Sequence, residues 1–258
     1  MLLYGRTQML PQYSYTDAVK FIMDSGFDGV EISIFEKNFR VRPEFFMPSF
    51  VSEMKEAMAK YAVKGFSVSA HKDYTETPEA LALVLQTLKI AKELGSGYVI
   101  INGAIRRENE KYEDQWNAMI RDTKILAKAA KELELKLAVE FEPGFVIDNT
   151  ELLLKAFKEI DSDVMGINCD IGHVFLCDKD PMKAIEQSAP YILQCHVENM
   201  ATGIHDHLVP WEGDMNLSDY IGKLKEIGFK GGLGLDLYKY DYADVCADSA
   251  KCFKNLIG

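Results

Sequence analysis

Four acidic or imidazole side chains occupy matching places in four strand-like segments of the C-terminal half of the sequence. They are Glu140 in LAVEFE (137–142), Asp170 in GINCDI (166–171), His196 in ILQCHVEN (192–199) and Asp236 in GLGLDLY (232–238). Carboxylate oxygens and imidazole nitrogens are ligands for divalent metal ions, and a bound cation removes the repulsion among clustered carboxylates. These residue types suggest a metal centre, provided that the fold brings the four segments together.

The alternation of side chains within these segments indicates which residues share a face. Successive residues of a strand point to opposite sides, so Glu140 shares a face with Glu142 while the other face of their segment is apolar. Asp170, His196 and Asp236 likewise stand opposite apolar neighbours in their own segments. Because the apolar faces must pack against other elements, we predict that the four polar faces look into a common interior.

Eight β-rich segments alternate with amphipathic segments along the sequence. Besides the four named above, we expect strands at LLYG (2–5), GVEISI (29–34), GFSVSAHK (65–72) and YVIING (98–103). Between the strands, apolar residues recur every three or four positions, as helices require. Eight βα units predict an α/β protein with a (β/α)8 or TIM barrel fold, and 258 residues with 48% hydrophobic content suit one such domain over residues 1–258.

The active site of such a barrel lies at the C-terminal ends of its strands. All four candidate ligands fall at or near such ends, and the five histidines lie at strand ends or in the loops that follow (His71, His173, His196, His205 and His207). We expect the same mouth to receive Glu31, Asn102 and the loop ATGIHDHLVPWEGDM (201–215). The polar residues of the chain are therefore predicted to converge on one site.

Composition narrows the partners that this site is expected to meet. Asp and Glu number 40 against 29 Lys and Arg, and the net charge of −11 repels nucleic acid and acidic membrane surfaces. We find no export signal and no run near the ~18 apolar residues of a membrane span. Five cysteines without C-x-x-C spacing indicate reduced thiols in a cytoplasmic protein. We expect a small-molecule partner.

Four motifs resemble the xylose isomerase-like barrel superfamily, and within it the sugar isomerases and epimerases of the tagatose 3-epimerase type. The motifs are LAVEFEPG, NCDIGHV, CHVEN and GLGLDLY, and they follow in the family's order across essentially the whole chain. The resemblance implies a metal-dependent sugar isomerase or epimerase that interconverts ketoses or keto-polyols by proton transfer through an enediolate. General acid–base groups and a Lewis acid are what a weakly acidic α-proton requires.

The resemblance also implies roles for individual residues. One divalent ion (Mn, Mg, Co or Zn) would be held by Glu140, Asp170, His196 and Asp236. Of these, Glu140 and Asp236 would also be the catalytic proton carriers. By the same resemblance His173 and His207 would be substrate-binding residues, and we also expect His71, Glu142 and Trp211 to bind substrate.

Two departures from the family pattern bear on these roles. Asp236 is one methylene shorter than the usual Glu, so it reaches a metal more readily than a substrate carbon. Trp211, in PWEGD, stands where the family commonly has Gly before Glu, and we expect it to cover or narrow the pocket. No glycine-rich phosphate cradle occurs at the expected mouth, because Gly231 and Gly232 open the last strand at the opposite end. We therefore expect an unphosphorylated carbohydrate.

Several alternatives remain open at the level of single residues. Glu142 could replace Glu140 as ligand, since the two share a face. Asp170 and His173 could be a strand-end cap and a surface histidine, and His71 could be a structural histidine. The segment IFEKNFRVRPEFF (34–46) could form a lid or a contact in a homo-oligomer.

Other functions also remain open. A keto-inositol dehydratase of the same superfamily would use the same metal and enediolate. An apurinic endonuclease-type metal phosphodiesterase would share most of the candidate residues. That type carries three metals, however, and needs a His at Asn102 and an Asp at His205. A non-catalytic sugar-binding barrel is the third alternative.

Overall fold

Eight parallel strands close into a barrel, and a short antiparallel hairpin is added at its mouth. The computed structural model describes residues 1–258. Its strands are β1 (Leu2–Arg6), β2 (Gly29–Ser33), β3 (Gly65–Ala70), β4 (Tyr98–Asn102), β5 (Lys136–Glu140), β6 (Met165–Asp170), β7 (Ile192–Val197), β8 (Asn199–Ala201), β9 (Ile204–Leu208) and β10 (Gly232–Leu235). The barrel order is β1-β10-β7-β6-β5-β4-β3-β2, and β8 pairs with β9. The predicted (β/α)8 barrel is confirmed.

Nine α-helices surround the barrel. They are α1 (Tyr15–Asp24), α2 (Phe50–Lys60), α3 (Pro78–Leu94), α4 (Tyr112–Glu132), α5 (Thr150–Ile160), α6 (Ile171–Cys177), α7 (Pro181–Ser188), α8 (Leu217–Glu226) and α9 (Tyr242–Ile257), with short 3-10 helices at Thr7–Met9, Pro43–Phe46 and Ala189–Tyr191. Side chains cap several helix starts: Thr77 accepts a hydrogen bond from the Ala80 amide and Asn149 from the Leu152 amide. None of the helices combines the length and apolar character that crossing a membrane requires.

One continuous hydrophobic core joins the outer barrel face to the helices. It contains 67 buried residues drawn from the whole length of the chain, which identifies a single domain. In β5, Leu137 and Val139 belong to this core, while Glu140 belongs to the barrel interior, as the alternation of side chains predicts. The core therefore fixes which residues of each strand reach the site.

The strands at the mouth end earlier than expected. The last strand stops at Leu235 rather than 238, and β7 stops at Val197 rather than 199. Backbone pairing continues only as far as the Asp236 amide, which donates to the Val197 carbonyl at 3.1 Å. Alternating polar residues beyond these points mimic a strand pattern, although they lie in the loops that form the mouth.

The segment 201–215, expected as a loop, supplies most of a hairpin. Its strands β8 and β9 are joined by a tight turn with Gly203 in the left-handed region, at φ +73°. Because His205 and His207 are two residues apart on β9, they share one face. The hairpin therefore delivers both imidazoles to the same side of the mouth.

The N-terminal end of the barrel is filled by the ring of Tyr4, from the middle of β1. A Cβ atom on Gly29 would lie 2.6 Å from a carbon of this ring, and one on Gly232 would lie 2.3 Å from it. A Cβ on Gly65 would lie 2.4 Å from the phenol oxygen. Three glycines on three strands thus make room for one aromatic floor.

Candidate metal centre and substrate cavity

The structure brings Glu140, Asp170, His196 and Asp236 together at the C-terminal mouth. All four are buried, and one ligand atom from each lies within 4.8 Å of the others. The Nδ1 atom of His196 is 3.1 Å from a Glu140 oxygen and 3.7 Å from an Asp236 oxygen. It is 3.9 Å from Oδ2 of Asp170. Glu142, the alternative left open by alternation, is outside this group.

The orientation of His196 is set by Glu31 of β2. Its Nε2 atom lies 2.8 Å from Oε2 of Glu31, so Nε2 carries a hydrogen and donates it to the carboxylate. Nδ1 is then free to face the acidic group. Gly234 leaves space for the ring, because a Cβ there would lie 2.8 Å from Cδ2 of His196. A carboxylate that orients an imidazole in this way is typical of metal-binding histidines.

Asp170 uses its two oxygens differently. Oδ1 accepts a hydrogen bond from the His173 amide at 2.8 Å and so caps α6, whereas Oδ2 is buried with no hydrogen-bond partner. The capping role considered from the sequence is therefore present, and it occupies only one of the two oxygens. The other oxygen faces His196.

The donor set suits a divalent ion. Nδ1 of His196 and Oδ2 of Asp170 are buried polar atoms without partners, an arrangement that is costly unless another group satisfies them. Both atoms belong to the four-residue group, and a cation bound there would satisfy them together. Three carboxylates and one imidazole form a mixed oxygen and nitrogen set that Mn, Co, Mg or Zn can use.

Arg6, the last residue of β1, lies beside this group and was missed in the sequence. Its guanidinium donates to Glu31 through Nε at 2.9 Å, to Gln8 through Nη2 at 2.9 Å, and pairs with Asp236. Burial alone would lower the pKa of Arg6, but Asp236 and Glu31 outweigh it and raise that pKa. The expected first strand stopped at residue 5; one more residue would have placed Arg6 on the inward face with Tyr4.

Glu140 is held in its ionised form by imidazoles. His71, just past β3, places Nε2 at 3.1 Å from Oε2 of Glu140, and Asn168 donates to the same oxygen. Burial alone would raise the pKa of Glu140, but His196 and then His71 outweigh burial and hold that pKa well below its usual range. A carboxylate in this state is ready to bind a cation.

Three histidines converge above the acidic group. Nδ1 of His173 lies 2.8 Å from the Phe141 carbonyl and donates to it, so its Nε2 faces the cavity. Nε2 of His205 is 2.9 Å from that atom and 3.0 Å from Nε2 of His207. Desolvation and the charges of His173 and His207 lower the pKa of His205 to about 4. The cluster offers ring nitrogens to hydroxyl groups or to a cation.

These residues enclose a cavity of about 300 Å³. Its lining consists of Arg6, Phe39, His71, Glu140, Glu142, His173, His205, His207, Asp236 and Tyr238. Six residues that were expected to bind substrate or carry a proton line the cavity: His71, Glu140, Glu142, His173, His207 and Asp236. Asp170 and His196 are not part of the lining, but each has a ligand atom within 4.8 Å of those of Glu140 and Asp236. The structure does not bring Trp211 to the cavity, and its side chain is 56% exposed in the loop after β9.

Comparisons of sequence place this chain among known proteins. A family model described as xylose isomerase-like TIM barrel matches residues 19–256. An inosose isomerase of Halalkalibacterium halodurans is 20% identical over 262 residues, which cover 96% of this chain and 92% of the relative. A 3-dehydroshikimate dehydratase of Bacillus anthracis is 20% identical over 202 residues, or 76% of this chain and 70% of the relative.

Solved structures show the same fold. A D-tagatose 3-epimerase-like protein has a TM-score of 0.84 at 21% identity and covers 100% of this chain and 97% of its own. A structure of IolI protein with a bound zinc atom has a TM-score of 0.79 at 18% identity, with coverage of 100% and 98%. The resemblance inferred from the four motifs is thereby confirmed. Since the family model spans nearly the whole sequence and the barrel is closed as that family requires, the chain belongs to the xylose isomerase-like TIM barrel family.

Proposed function

We propose that the protein is a divalent-metal-dependent isomerase or epimerase that moves a proton beside the carbonyl of a ketose or keto-polyol. The observation that carries this proposal is the group of Glu140, Asp170, His196 and Asp236, in which two buried ligand atoms lack partners. The relatives named as an inosose isomerase and a D-tagatose 3-epimerase-like protein support sugar isomerisation. The zinc atom of one structural neighbour supports a metal.

The four residues of that group would hold the ion. A divalent ion bound there supplies a Lewis acid that stabilises negative charge developing on a substrate oxygen. Glu31 keeps the imidazole of His196 oriented toward the ion, and the amide of His173 holds Asp170 in place. These contacts leave both side chains preorganised.

Glu140 is the better of the two proton carriers. Its neighbours keep it ionised, so it can take the proton from the carbon next to the carbonyl and generate an enediolate. A protonated Asp236 could then donate to the same carbon from another side, which would invert that carbon. Glu140 could instead return the proton it holds to the neighbouring carbon, which would move the carbonyl. The ion pair of Asp236 with Arg6 restrains its short side chain, so Asp236 acts mainly as a ligand in this proposal.

The rest of the cavity suits the hydroxyl groups of one sugar. His173 and His207 present ring nitrogens, and Glu142, held by the Asn102 amide at 3.3 Å, presents a carboxyl group. The volume of about 300 Å³ is at the lower end for small-molecule sites. No lysine lines the cavity and its one arginine is already paired, which supports an unphosphorylated substrate.

All five cysteines are free, which supports the expected cytoplasmic location.

Proton exchange tests the proposal directly. Chelator-stripped protein, reloaded separately with Mn, Mg, Co and Zn, is incubated in D2O with ketoses and keto-inositols, and deuterium is followed by NMR. We expect incorporation at the carbon next to the carbonyl, dependent on the metal. Turnover without any deuterium under slow-exchange conditions would indicate a hydride shift and contradict the roles of both acids.

Three alternative functions can be distinguished with the same protein preparations. A keto-inositol dehydratase would begin with the same proton removal, and the relative named as 3-dehydroshikimate dehydratase supports it. Release of water with formation of a conjugated ketone identifies that outcome. An endonuclease of the three-metal type would use the cluster of His173, His205 and His207 for a further ion, so a stoichiometry near three metals with tight binding to abasic DNA would favour it. Sugar binding without exchange would indicate a non-catalytic barrel.

A further inference from the structure

Phe39, in the loop after β2, holds an unusual position at the mouth of the cavity. Its side chain is 54% exposed although it lines the cavity, and its backbone lies in the left-handed region at φ +61°. A bulky residue rarely adopts this conformation, and such outliers concentrate at functional sites. Neither the exposure of the ring nor the backbone strain stabilises the fold.

The surrounding loop holds Phe39 in this conformation. The Phe39 amide donates to the Glu36 carbonyl at 2.8 Å, and the Glu36 amide donates to the Arg40 carbonyl at 2.9 Å. The Arg40 guanidinium donates to both carboxylate oxygens of Glu36, at 3.0 and 2.8 Å. Lys37 then ties the loop to the Tyr240 carbonyl at 2.7 Å. The ring is therefore presented by a built loop rather than by a random surface turn.

Phe39 shares one wall of the cavity with Tyr238. The two ring planes are 11° from parallel, with centroids 6.2 Å apart. The remaining lining is made of carboxylates, imidazoles and the guanidinium of Arg6. The cavity thus contains two nearly parallel aromatic rings in an otherwise polar lining.

We propose that Phe39 is a specificity-determining residue, whose ring with Tyr238 binds the C–H face of a carbocyclic keto-polyol. This inference rests on the proposed proton transfer, and it names the substrate class. A sugar that closes into a hemiketal has a flat C–H face but no free carbonyl. An open-chain ketose has the carbonyl but no rigid face. A ring ketone made only of carbon offers both features at once.

Substitution by glycine tests the ring without disturbing the loop. Glycine adopts φ +61° without strain, so Phe39→Gly should fold with an unchanged or higher Tm while it loses the aromatic wall. Phe39→Trp keeps an aromatic face. Tyr191→Leu is the matched control, because Tyr191 is an aromatic residue, 40% exposed, at the far end of the barrel before β7.

Binding is measured first, by calorimetry on the metal-loaded protein, with myo-inositol and D-mannitol as probes. These polyols carry equal numbers of carbons and hydroxyls and differ in ring closure. We expect Phe39→Gly to lower the affinity for myo-inositol by about two- to tenfold and to change the affinity for D-mannitol by less than about twofold. Phe39→Trp should retain the preference for myo-inositol. Equal effects on both polyols, or no effect on either, would overturn the inference.

Turnover separates this inference from the proposed function. With 2-keto-myo-inositol and D-tagatose as substrates, Phe39→Gly should raise KM for the ring ketone and leave kcat for proton exchange nearly unchanged. Loss of exchange in every variant and in the parent would contradict the proposed function, while the polyol binding result would still decide the role of Phe39. A fall in kcat with KM unchanged would assign the loop a different role.

Discussion

Replacement of Arg6 by methionine is the most informative single perturbation of the barrel interior. Arg6 is 1% exposed, and its guanidinium pairs with two buried carboxylates, those of Glu31 and Asp236. Methionine has a similar length without charge, so Arg6→Met leaves both carboxylates without their cation. Removal of one partner from a buried ion pair typically costs ~3–5 kcal/mol of folding free energy.

That cost converts into a large shift in melting temperature. In a protein of this size each 1 kcal/mol changes Tm by about 2–4 °C, so Arg6→Met should melt about 6–20 °C lower in the metal-free state. Circular dichroism with a chelator present measures the shift. The Tm of Arg6→Lys should lie between those of the parent protein and Arg6→Met, because lysine keeps the charge but lacks the planar guanidinium that contacts both carboxylates.

Arg121 supplies the matched control. It also pairs with a neighbouring aspartate, Asp122, at 2.8 Å, but its side chain is 67% exposed. Such a pair is worth at most about 1 kcal/mol, so Arg121→Met should lower Tm by no more than about 4 °C. If Arg6→Met melts no lower than Arg121→Met, the buried pair does not stabilise the barrel and our account of its interior is wrong.

The remaining predictions concern the metal and the proton carriers. Elemental analysis after reloading should give one ion per chain, and His196→Ala should abolish that binding; unchanged binding in this variant would refute the ligand assignment. Glu140→Gln and Asp236→Asn should each lower turnover by about 10² to 10⁴ or more while the circular dichroism spectrum stays native, and retained proton exchange in Asp236→Glu would identify Asp236 as a carrier. Gly234→Ala should weaken metal affinity by displacing His196, as titration would show, whereas Gly222→Ala, where an added Cβ meets no neighbour, should not.

The sequence predicted the barrel and most of its site because both depend on alternation. Apolar residues on one face of each strand and polar residues on the other are required by the fold, so the inward side chains could be identified residue by residue. Alternation could not choose between Glu140 and Glu142, since both have the same parity. In the structure Glu140, the last residue of β5, lies in the four-residue group, whereas Glu142, two residues beyond the strand, does not.

Other features depend on contacts that no local pattern encodes. Arg6 was missed because the first strand was ended one residue early, and an arginine inside a barrel is stable only where distant carboxylates meet it. The sequence predicts a loop in place of the β8–β9 hairpin because β9 (Ile204–Leu208) contains no run of apolar residues. The position of Phe39 depends on a backbone conformation that its residue type does not favour.

The aromatic floor of the barrel has a consequence for how this protein can change over generations. The Tyr4 ring fits only while positions 29, 65 and 232 lack side chains, so the residues at four positions on four strands depend on one another. A single substitution at any of the three glycines creates a steric clash. A side chain at position 65 or 232 requires a smaller residue in place of Tyr4, and Gly29 is restricted further because an added Cβ would lie 2.1 Å from the Gly65 carbonyl oxygen. The floor is therefore slow to diverge. New substrate preferences can arise by changes in the loops of the mouth while the floor stays the same.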